Sequence, residues 1–289
     1  MKCKLCGSSN VKVIYSGPFR SSGVGSKYVM GYNVMECQDC GAVWMDPFPE
    51  QNEQHYIQPT YWTKHKGAEE FEELIKKWYP EQLIWLESIG IEPFVNKKVL
   101  DYGCGMGLFL NVLARVSSET HGFDLSAHFK DYILENGHSF YDQLDQIPST
   151  YFDLVVSFDT LEHIEKPKPF LKDIYSRLND SGLFIIGVPN FDDYTKSFVD
   201  GYHKFFYHLS HLWFFKKQVL NNLLEEAGFT IVKSTSVHKY DVNNLVAWAR
   251  DEKPTGRSGS HLDEFLEKGF RSNLERMGVG SHLLIIAQK

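Results

Sequence analysis

From residue 97 onward, short apolar runs alternate with amphipathic stretches. Lys97–Asp101 (KKVLD), Glu119–Phe123, Phe152–Ser157 and Leu183–Val188 are apolar runs of strand length. Between them lie stretches with helical spacing, among them LFLNVLAR, Pro169–Leu178 (PFLKDIYSRL) and KKQVLNNLLEEA, the last closed by Gly228. Strands alternating with helices predict a doubly wound α/β domain on a parallel sheet. Upstream, Phe71, Leu74, Ile75 and Trp78, then Leu83, Trp85, Leu86 and Ile89 after Pro80, predict one helix or two over 68–89. The first 45 residues differ: VKVIYSG, a Gly/Ser-rich tip at 21–26, and KYVMGYNVMEC read as a hairpin. The expected organisation is a small module over 1–45, a linker and helical cap over 46–96, and the α/β domain over 97–289. An insertion over 236–281 brings a short helix at 243–250, a loop (DEKPTGRSGS) and a further helix.

Four of the five cysteines form two copies of one pattern, Cys3-x-x-Cys6-Gly7 and Cys37-x-x-Cys40-Gly41. Two intervening residues let both thiolates of a pair face one tetrahedral ion, and the glycine permits the turn that aims N–H groups at sulfur. Two such knuckles on a hairpin read as a zinc ribbon, with Cys3, Cys6, Cys37 and Cys40 as ligands of a structural Zn2+. Disulfides are disfavoured, because MKCKLCGSSN carries no apolar signal region and a reducing cytoplasmic setting is expected. No apolar run reaches the roughly 18 residues of a membrane span. The formal net charge of −7 argues against a nucleic-acid partner, and Lys2, Lys4, Lys12, Arg20 and Lys27 are few around the knuckles. A ribbon that grips RNA is the rival reading, and a non-catalytic scaffold is a third.

The first strand of the α/β domain runs into Gly103-Cys104-Gly105-Met106-Gly107 and then a helix, the context of a nucleotide-binding loop. The spacing is GxGxG. Asp101 ends the strand, where a carboxylate repels pyrophosphate and welcomes an ammonium group. Asp124 ends the next strand, about 20 residues past the first glycine, placed for ribose hydroxyls. Cys104 reads as a loop filler. After Leu183–Val188 comes an unusual segment. Nine of the 22 residues from Tyr194 to Phe215 are aromatic, where the chain average of 15% gives about three, and His203, His208 and His211 lie within nine residues. Its position beyond the carboxyl ends of the strands predicts a roof over a substrate pocket. His208 and His211 at i, i+3 suit an ion on a helix, yet no carboxylate or cysteine is close in sequence, so proton abstraction is the favoured chemistry.

The motifs VLDYGCGMG, HGFDLS, YFDLVVSFDTLEHI and GLFIIGVPN, in that order, resemble the class I S-adenosylmethionine-dependent methyltransferases over residues 97–289. The resemblance implies a Rossmann-like, mostly parallel seven-stranded sheet closed by SHLLIIAQK as an antiparallel strand. It implies that Asp101, Gly103, Gly105 and Gly107 hold the methionine part of S-adenosylmethionine and Asp124 its ribose. Asp142 is the candidate near the adenine, with Tyr141 and Asp145 as alternatives, and Phe158 packs near the cofactor. Glu162 and His163 are implied to be a capping and packing pair. A histidine ahead of the FF-plus-helix pattern points to His211 as general base, then His208, with His203 and Tyr207 behind. The knuckles and MDPFPE also resemble bacterial methyltransferases with an N-terminal zinc ribbon that modify sugars and secondary metabolites. Within that group the C-methyltransferases carry a further C-terminal domain beyond the core fold. The expectation is therefore O-methylation of a small acceptor (a sugar, a nucleotide-sugar or a polysaccharide precursor), with sugar C-methylation as the less favoured alternative.

Overall fold

The computed structural model describes residues 1–21, 27–49, 68–251 and 264–289. The linker expected over 46–66 and the loop DEKPTGRSGS fall mostly outside them. The α/β unit is built on seven strands: β6 (Lys98–Tyr102), β7 (Glu119–Phe123), β8 (Ser139–Tyr141), β9 (Phe152–Phe158), β10 (Leu178–Pro189), β11 (Thr230–Val237) and β12 (His282–Gln288). Their order is β11-β12-β10-β9-β6-β7-β8. The pairs β6–β7, β7–β8, β6–β9 and β9–β10 are parallel, and β12 runs antiparallel to both β10 and β11. Between Leu178 and Leu183 the register of β10 with β9 shifts, with Ser181 at φ 65°.

Side chains on these strands divide by period two. Val99, Leu154, Val156, Ile185, Leu284 and Ile286 enter one core, and Leu100, Val155, Phe184, Ile186, Leu283 and Ile285 the other. Against the first face packs α1 (Ala68–Ile89), one continuous helix that runs through Pro80 without a break, with Phe109 and Leu113 in the same core. Its Trp85 stacks on Phe158 at 4.6 Å and 11°, directly over Gly187. A Cβ at Gly187 would come within 2.4 Å of the indole, so only glycine lets the helix lie this close. Against the second face pack α4 (Pro167–Arg177) and α7 (Lys217–Ala227), through Phe170, Leu171, Ile174, Leu220, Leu223 and Leu224. Between β9 and β12 the chain also forms the short helices α5 (Tyr194–Phe198) and α6 (His203–Phe206), then α8 (Val242–Asp251) and α9 (Glu264–Arg276).

The N-terminal module is a three-stranded antiparallel sheet of order β1-β4-β5, from β1 (Val11–Ser16), β4 (Asn33–Cys37) and β5 (Val43–Asp46). The hairpin expected from the sequence is present in two parts: β1 pairs antiparallel with β4, and nearer the tip β2 (Phe19–Arg20) pairs antiparallel with β3 (Tyr28–Val29). This small sheet does not close a core alone. Residues 207–215 join it: the Arg20 N–H donates to the Tyr207 carbonyl (3.0 Å), Leu209 to Arg20 (3.0 Å), Met45 to Leu212 (2.9 Å) and Phe214 to Val43 (3.0 Å). Tyr202, Phe206, Tyr207, Trp213, Phe214 and Phe215 are buried in one cluster with Phe19, Val34, Trp44 and Met45. Much of the expected aromatic roof is therefore the joint between module and α/β unit. The reason is size: about 45 residues bury too little apolar area to stand alone.

A charged pair ties the same joint. Burial alone would raise the Glu36 carboxyl, but hydrogen bonds from Lys216, Lys12 and Gln38 hold it at about 2. A depressed carboxyl contributes stability that is full above its ordinary value of 4.5 and is lost as pH falls toward 2. At roughly 1.4 kcal/mol per unit, the contribution is at most about 3 kcal/mol. Lys216→Met is expected to lower unfolding stability at pH 7 and to flatten its decline between pH 4.5 and 2, measured by urea unfolding across that range; an unchanged pH dependence would show that the pair does not carry the effect.

Candidate active site

At the carboxyl end of β6, the chain turns through Gly103 (φ 90°), Gly105 (φ 51°) and Gly107 (φ 70°) into α2 (Leu108–Leu113). These left-handed angles disfavour other residues. The loop is pinned to the end of β7, because the N–H groups of Gly103 and Cys104 both donate to the Phe123 carbonyl (2.8 and 3.0 Å). Cys104 is buried against Gly122, where a Cβ would meet its sulfur at 2.7 Å. Asp124 receives the Gly105 N–H (2.9 Å) on one oxygen and the Ser126 N–H (2.8 Å) on the other. Burial raises Asp124, against the pull of those two N–H groups. Asp101 is buried, and burial together with the charge of Asp124 pushes its carboxyl up to about 8. Two buried acids side by side favour a cation between them.

Asp142 follows β8, and its carboxylate pairs with Lys130 at 3.1 Å. Tyr141 is turned away, stacked on His121 with its hydroxyl 3.1 Å from Nδ1, and Asp145 is exposed. Phe158 lies in the Trp85–Phe158–Phe109 stack.

The turn after β9 approaches the glycine loop. A Cβ at Gly103 would come 2.3 Å from the Thr160 hydroxyl. Two residues on, Glu162 is 1% exposed, and neither carboxylate oxygen has a hydrogen-bond partner. Its Oε1 lies 3.7 Å from His211 Nε2 and 3.9 Å from His163 Nε2. His208 and His211 sit in a turn, not on a helix: the His211 N–H donates to the His208 carbonyl (3.1 Å), and their rings are 3.6 Å apart. The Glu162 carbonyl accepts from Leu212 (2.8 Å) and Trp213 (3.2 Å), and the Ser210 carbonyl accepts from His163 Nδ1 (2.6 Å). Burial lowers His208 and His211 well below their ordinary value, and the charges of Arg20 and His163 act in the same direction; burial raises Glu162 well above its own. Both imidazoles are thereby neutral at pH 7. His203 and Tyr207 fall in the joint instead, stacked on or tilted against Tyr15.

A second polar group lies beside Glu162. Asp159 (φ 51°) contacts Lys239 Nζ (2.7 Å) and His282 Nε2 (3.3 Å), and Lys239 is 3.9 Å from Glu81 of α1. Burial would raise Asp159, but Lys239 and His282 hold it below its ordinary value. Sequence reading missed Asp159, Lys239 and His282 and set Glu162 and His163 aside as packing. The signal for three of these five was the run of polar residues directly past an apolar strand.

In the N-terminal module the four cysteine sulfurs lie within 4.8 Å of one another, with Cys3–Cys40 and Cys6–Cys37 each at 3.7 Å. A tetrahedron with bonds of about 2.3 Å has edges of about 3.8 Å, so the donor set fits a thiolate-bound zinc ion. The Leu5 N–H points at Cys3 Sγ (3.4 Å), as a zinc knuckle requires.

Comparison with known proteins agrees with the fold. The ubiquinone biosynthesis O-methyltransferase of Maricaulis maris is 31% identical over 111 residues, 35% of this chain and 44% of that protein. The mitochondrial enzyme of that name from Candida albicans is 35% identical over 107 residues, 32% of this chain and 33% of its own. The chain thus spans less than half the length of these curated relatives. Among solved structures, a SAM-dependent methyltransferase from Archaeoglobus fulgidus has a TM-score of 0.51 at 20% identity, covering 76% of this chain and 99% of its own. A possible histamine N-methyltransferase from Thermotoga maritima has a TM-score of 0.52 at 18% identity, covering 76% and 96%. At these identities the two structures show a shared fold. A family described as a methyltransferase domain matches residues 72–234, through α1, the glycine loop and the strands from β6 into β11. That match takes in more than half of the sequence, and the chain belongs to the S-adenosylmethionine-dependent methyltransferases.

Proposed function

We propose that this protein transfers the methyl group of S-adenosylmethionine to an oxygen of a small hydroxylated acceptor, with the His208–His211 pair receiving the proton. The observation that carries the reading is the contact of Thr160 with Gly103, which joins the turn bearing Glu162 and His163 to the glycine loop. In this reading Asp101 and the loop glycines hold the methionine moiety, Asp124 the ribose, and the loop that starts at Asp142 the adenine. The cationic ammonium and sulfonium groups bring Asp101 back to its ionised form. As the methyl moves, the positive charge leaves sulfur and appears on an imidazole, so net charge in the buried site is conserved. In-line placement supplies much of the remaining acceleration.

For the acceptor, the ribbon-bearing resemblance favours a sugar, a nucleotide-sugar or a polysaccharide precursor. The name of the curated relatives favours a hydroxyl on a ubiquinone precursor, the second reading. A panel of both classes with labelled cofactor separates them. The four thiols hold a structural Zn2+, which implies a reducing compartment such as the cytoplasm. No helix among the described residues is long and apolar enough to cross a membrane. The chain as a whole carries a net charge of −7, and the module serves to complete a core, not to grip nucleic acid.

Asp101→Asn is expected to weaken S-adenosylmethionine binding about 10- to 100-fold, the range for one buried charge-assisted contact; calorimetry showing wild-type affinity would remove Asp101 from the site. His211→Ala is expected to lower turnover by about 10²–10⁴ with cofactor affinity retained. His208→Ala lowers it less, and full turnover in both variants would refute the base assignment. Cys37→Ser is expected to lose zinc and to lower the melting temperature by at least about 5 °C, because the knuckles share a core with residues 207–215; zinc analysis and thermal unfolding check both.

A further inference from the structure

We propose that Arg20 of the N-terminal module anchors an oxyanion of the acceptor, a phosphate or a carboxylate, beside the His208–His211 pair. The place of that anion on a methyl acceptor rests on the methyl-transfer reading above; the binding of an anion at Arg20 does not.

Strand alternation decides where Arg20 points. Phe19 and Tyr207 are buried in the joint, with ring centroids 5.9 Å apart. The next residue along each segment, Arg20 and His208, forms a parallel bridge. The Arg20 N–H on the Tyr207 carbonyl and the Leu209 N–H on the Arg20 carbonyl close it, each at 3.0 Å. Successive side chains of an extended segment face opposite ways, and residues in register across a pair face the same way. Arg20 and His208 therefore share the face turned away from Phe19 and Tyr207. On that face His208 lies ring to ring with His211 at 3.6 Å.

The guanidinium is held there but not neutralised. It lies on the Phe205 ring at 4.3 Å, and Trp248 braces Phe205 at 5.1 Å and 62°. An aromatic face attracts a cation but leaves its in-plane N–H groups without acceptors. Arg20 Nε is buried with no hydrogen-bond partner, and among the described residues no carboxylate pairs with the side chain. By contrast, Lys216 in the joint and Lys239 at the carboxyl edge each have a carboxylate. Burial lowers the basicity of Arg20, the cost of a cation without a counterion. The residue as a whole is half-buried, so a ligand can reach its outer nitrogens. A rigid fork of donors, with no acceptor of its own, selects a carboxylate or a phosphate over an uncharged group.

The consequence reaches the base. The charge of Arg20 opposes protonation of both His208 and His211. A bound oxyanion cancels that opposition, so an acceptor carrying the anion also readies the pair to take its proton. An uncharged compound meets the pair unrelieved. Arg20 thereby sets acceptor specificity from the N-terminal module.

Calorimetry on the zinc-loaded full chain, saturated with S-adenosylmethionine, tests the site with inorganic pyrophosphate, inorganic phosphate and benzoate as probes. Wild type is expected to bind at least one. Preference for pyrophosphate or phosphate marks a phosphorylated acceptor, and preference for benzoate a carboxylated one. Arg20→Gln should weaken the bound probe about 10-fold or more with cofactor affinity retained, and Arg20→Lys should weaken it less. No probe bound by wild type, or equal binding by Arg20→Gln, would overturn the site. Should Arg20→Gln fail to fold, histidine NMR of wild type decides. The bound probe should move the His208 and His211 imidazole resonances and leave those of His121 and His138 in place; unmoved His208 and His211 would overturn the site. With labelled cofactor, Arg20→Gln should raise KM for an anionic acceptor and leave kcat nearly unchanged, because loss of the cation also lifts its opposition to the base. An uncharged compound as the best acceptor would overturn the role of Arg20 and leave methyl transfer standing. Probe binding that Arg20→Gln abolishes, with no acceptor methylated, would sink the methyl-transfer reading and spare the site.

Discussion

Backbone pairing between residues 207–215 and the N-terminal module holds the whole catalytic end in place. Four hydrogen bonds stitch that segment to Arg20, Val43 and Met45, and its inward side chains fill the core that the module lacks. Without the module, Tyr207, Trp213 and Phe214 would face water, and His208 and His211 would sit on an unsupported loop. With it, the segment's other edge reaches the turn after β9, where Leu212 and Trp213 engage the Glu162 carbonyl. The four thiols therefore act on the site at a distance: they fix the knuckles, the knuckles fix β4 and β5, and those strands fix the histidines.

Low dielectric does the rest. Along the carboxyl edge of the sheet the chain buries Asp101, Glu162, Lys239 and His282, and half-buries Asp124, Asp159, His163, His208 and His211. Burial penalises every isolated charge among them. The groups divide into those that find a partner in the chain and those that do not. Asp159 finds Lys239 and His282, and is held ionised. Asp101 and Glu162 find none and are pushed toward neutrality. The unpaired groups lie on either side of the Thr160–Gly103 contact.

How much of this was legible depended on whether a signal was local. The glycine loop, Asp101 and Asp124 are read from contiguous strand ends, and β12 follows from the resemblance of SHLLIIAQK. The two CxxCG knuckles are equally local. Glu162 and His163 are plainly visible past β9, but their partners are not: 47 residues separate His163 from Ser210. The i, i+3 spacing of His208 and His211 suggested a helix because the pairing that holds them in a turn is with residues near the N-terminus. The same non-local pairing turned an expected roof into a joint and added β5, whose GAVWMD carries no alternation to announce a strand. Lys239 and His282 had no signal: one lies just past β11 and the other opens β12, and the two meet Asp159 only once the sheet has formed.

Charge movement connects the two ends of the site. On the proposed reading, a methyl donor brings a positive sulfonium to the side of Asp101, whose carboxyl is raised by burial and by the nearness of Asp124. Transfer removes that charge from sulfur and requires that a proton be accepted elsewhere. The histidine end lies across a single contact, and its imidazoles are kept neutral by the same burial that raises Glu162. A neutral imidazole beside a carboxyl group can take the acceptor's proton without a net change in the charge of the cavity, because the sulfonium loses its positive charge with the methyl group. On the proposed reading, one positive charge moves a short way through a dry space, which suits an acceptor atom that has a proton to lose.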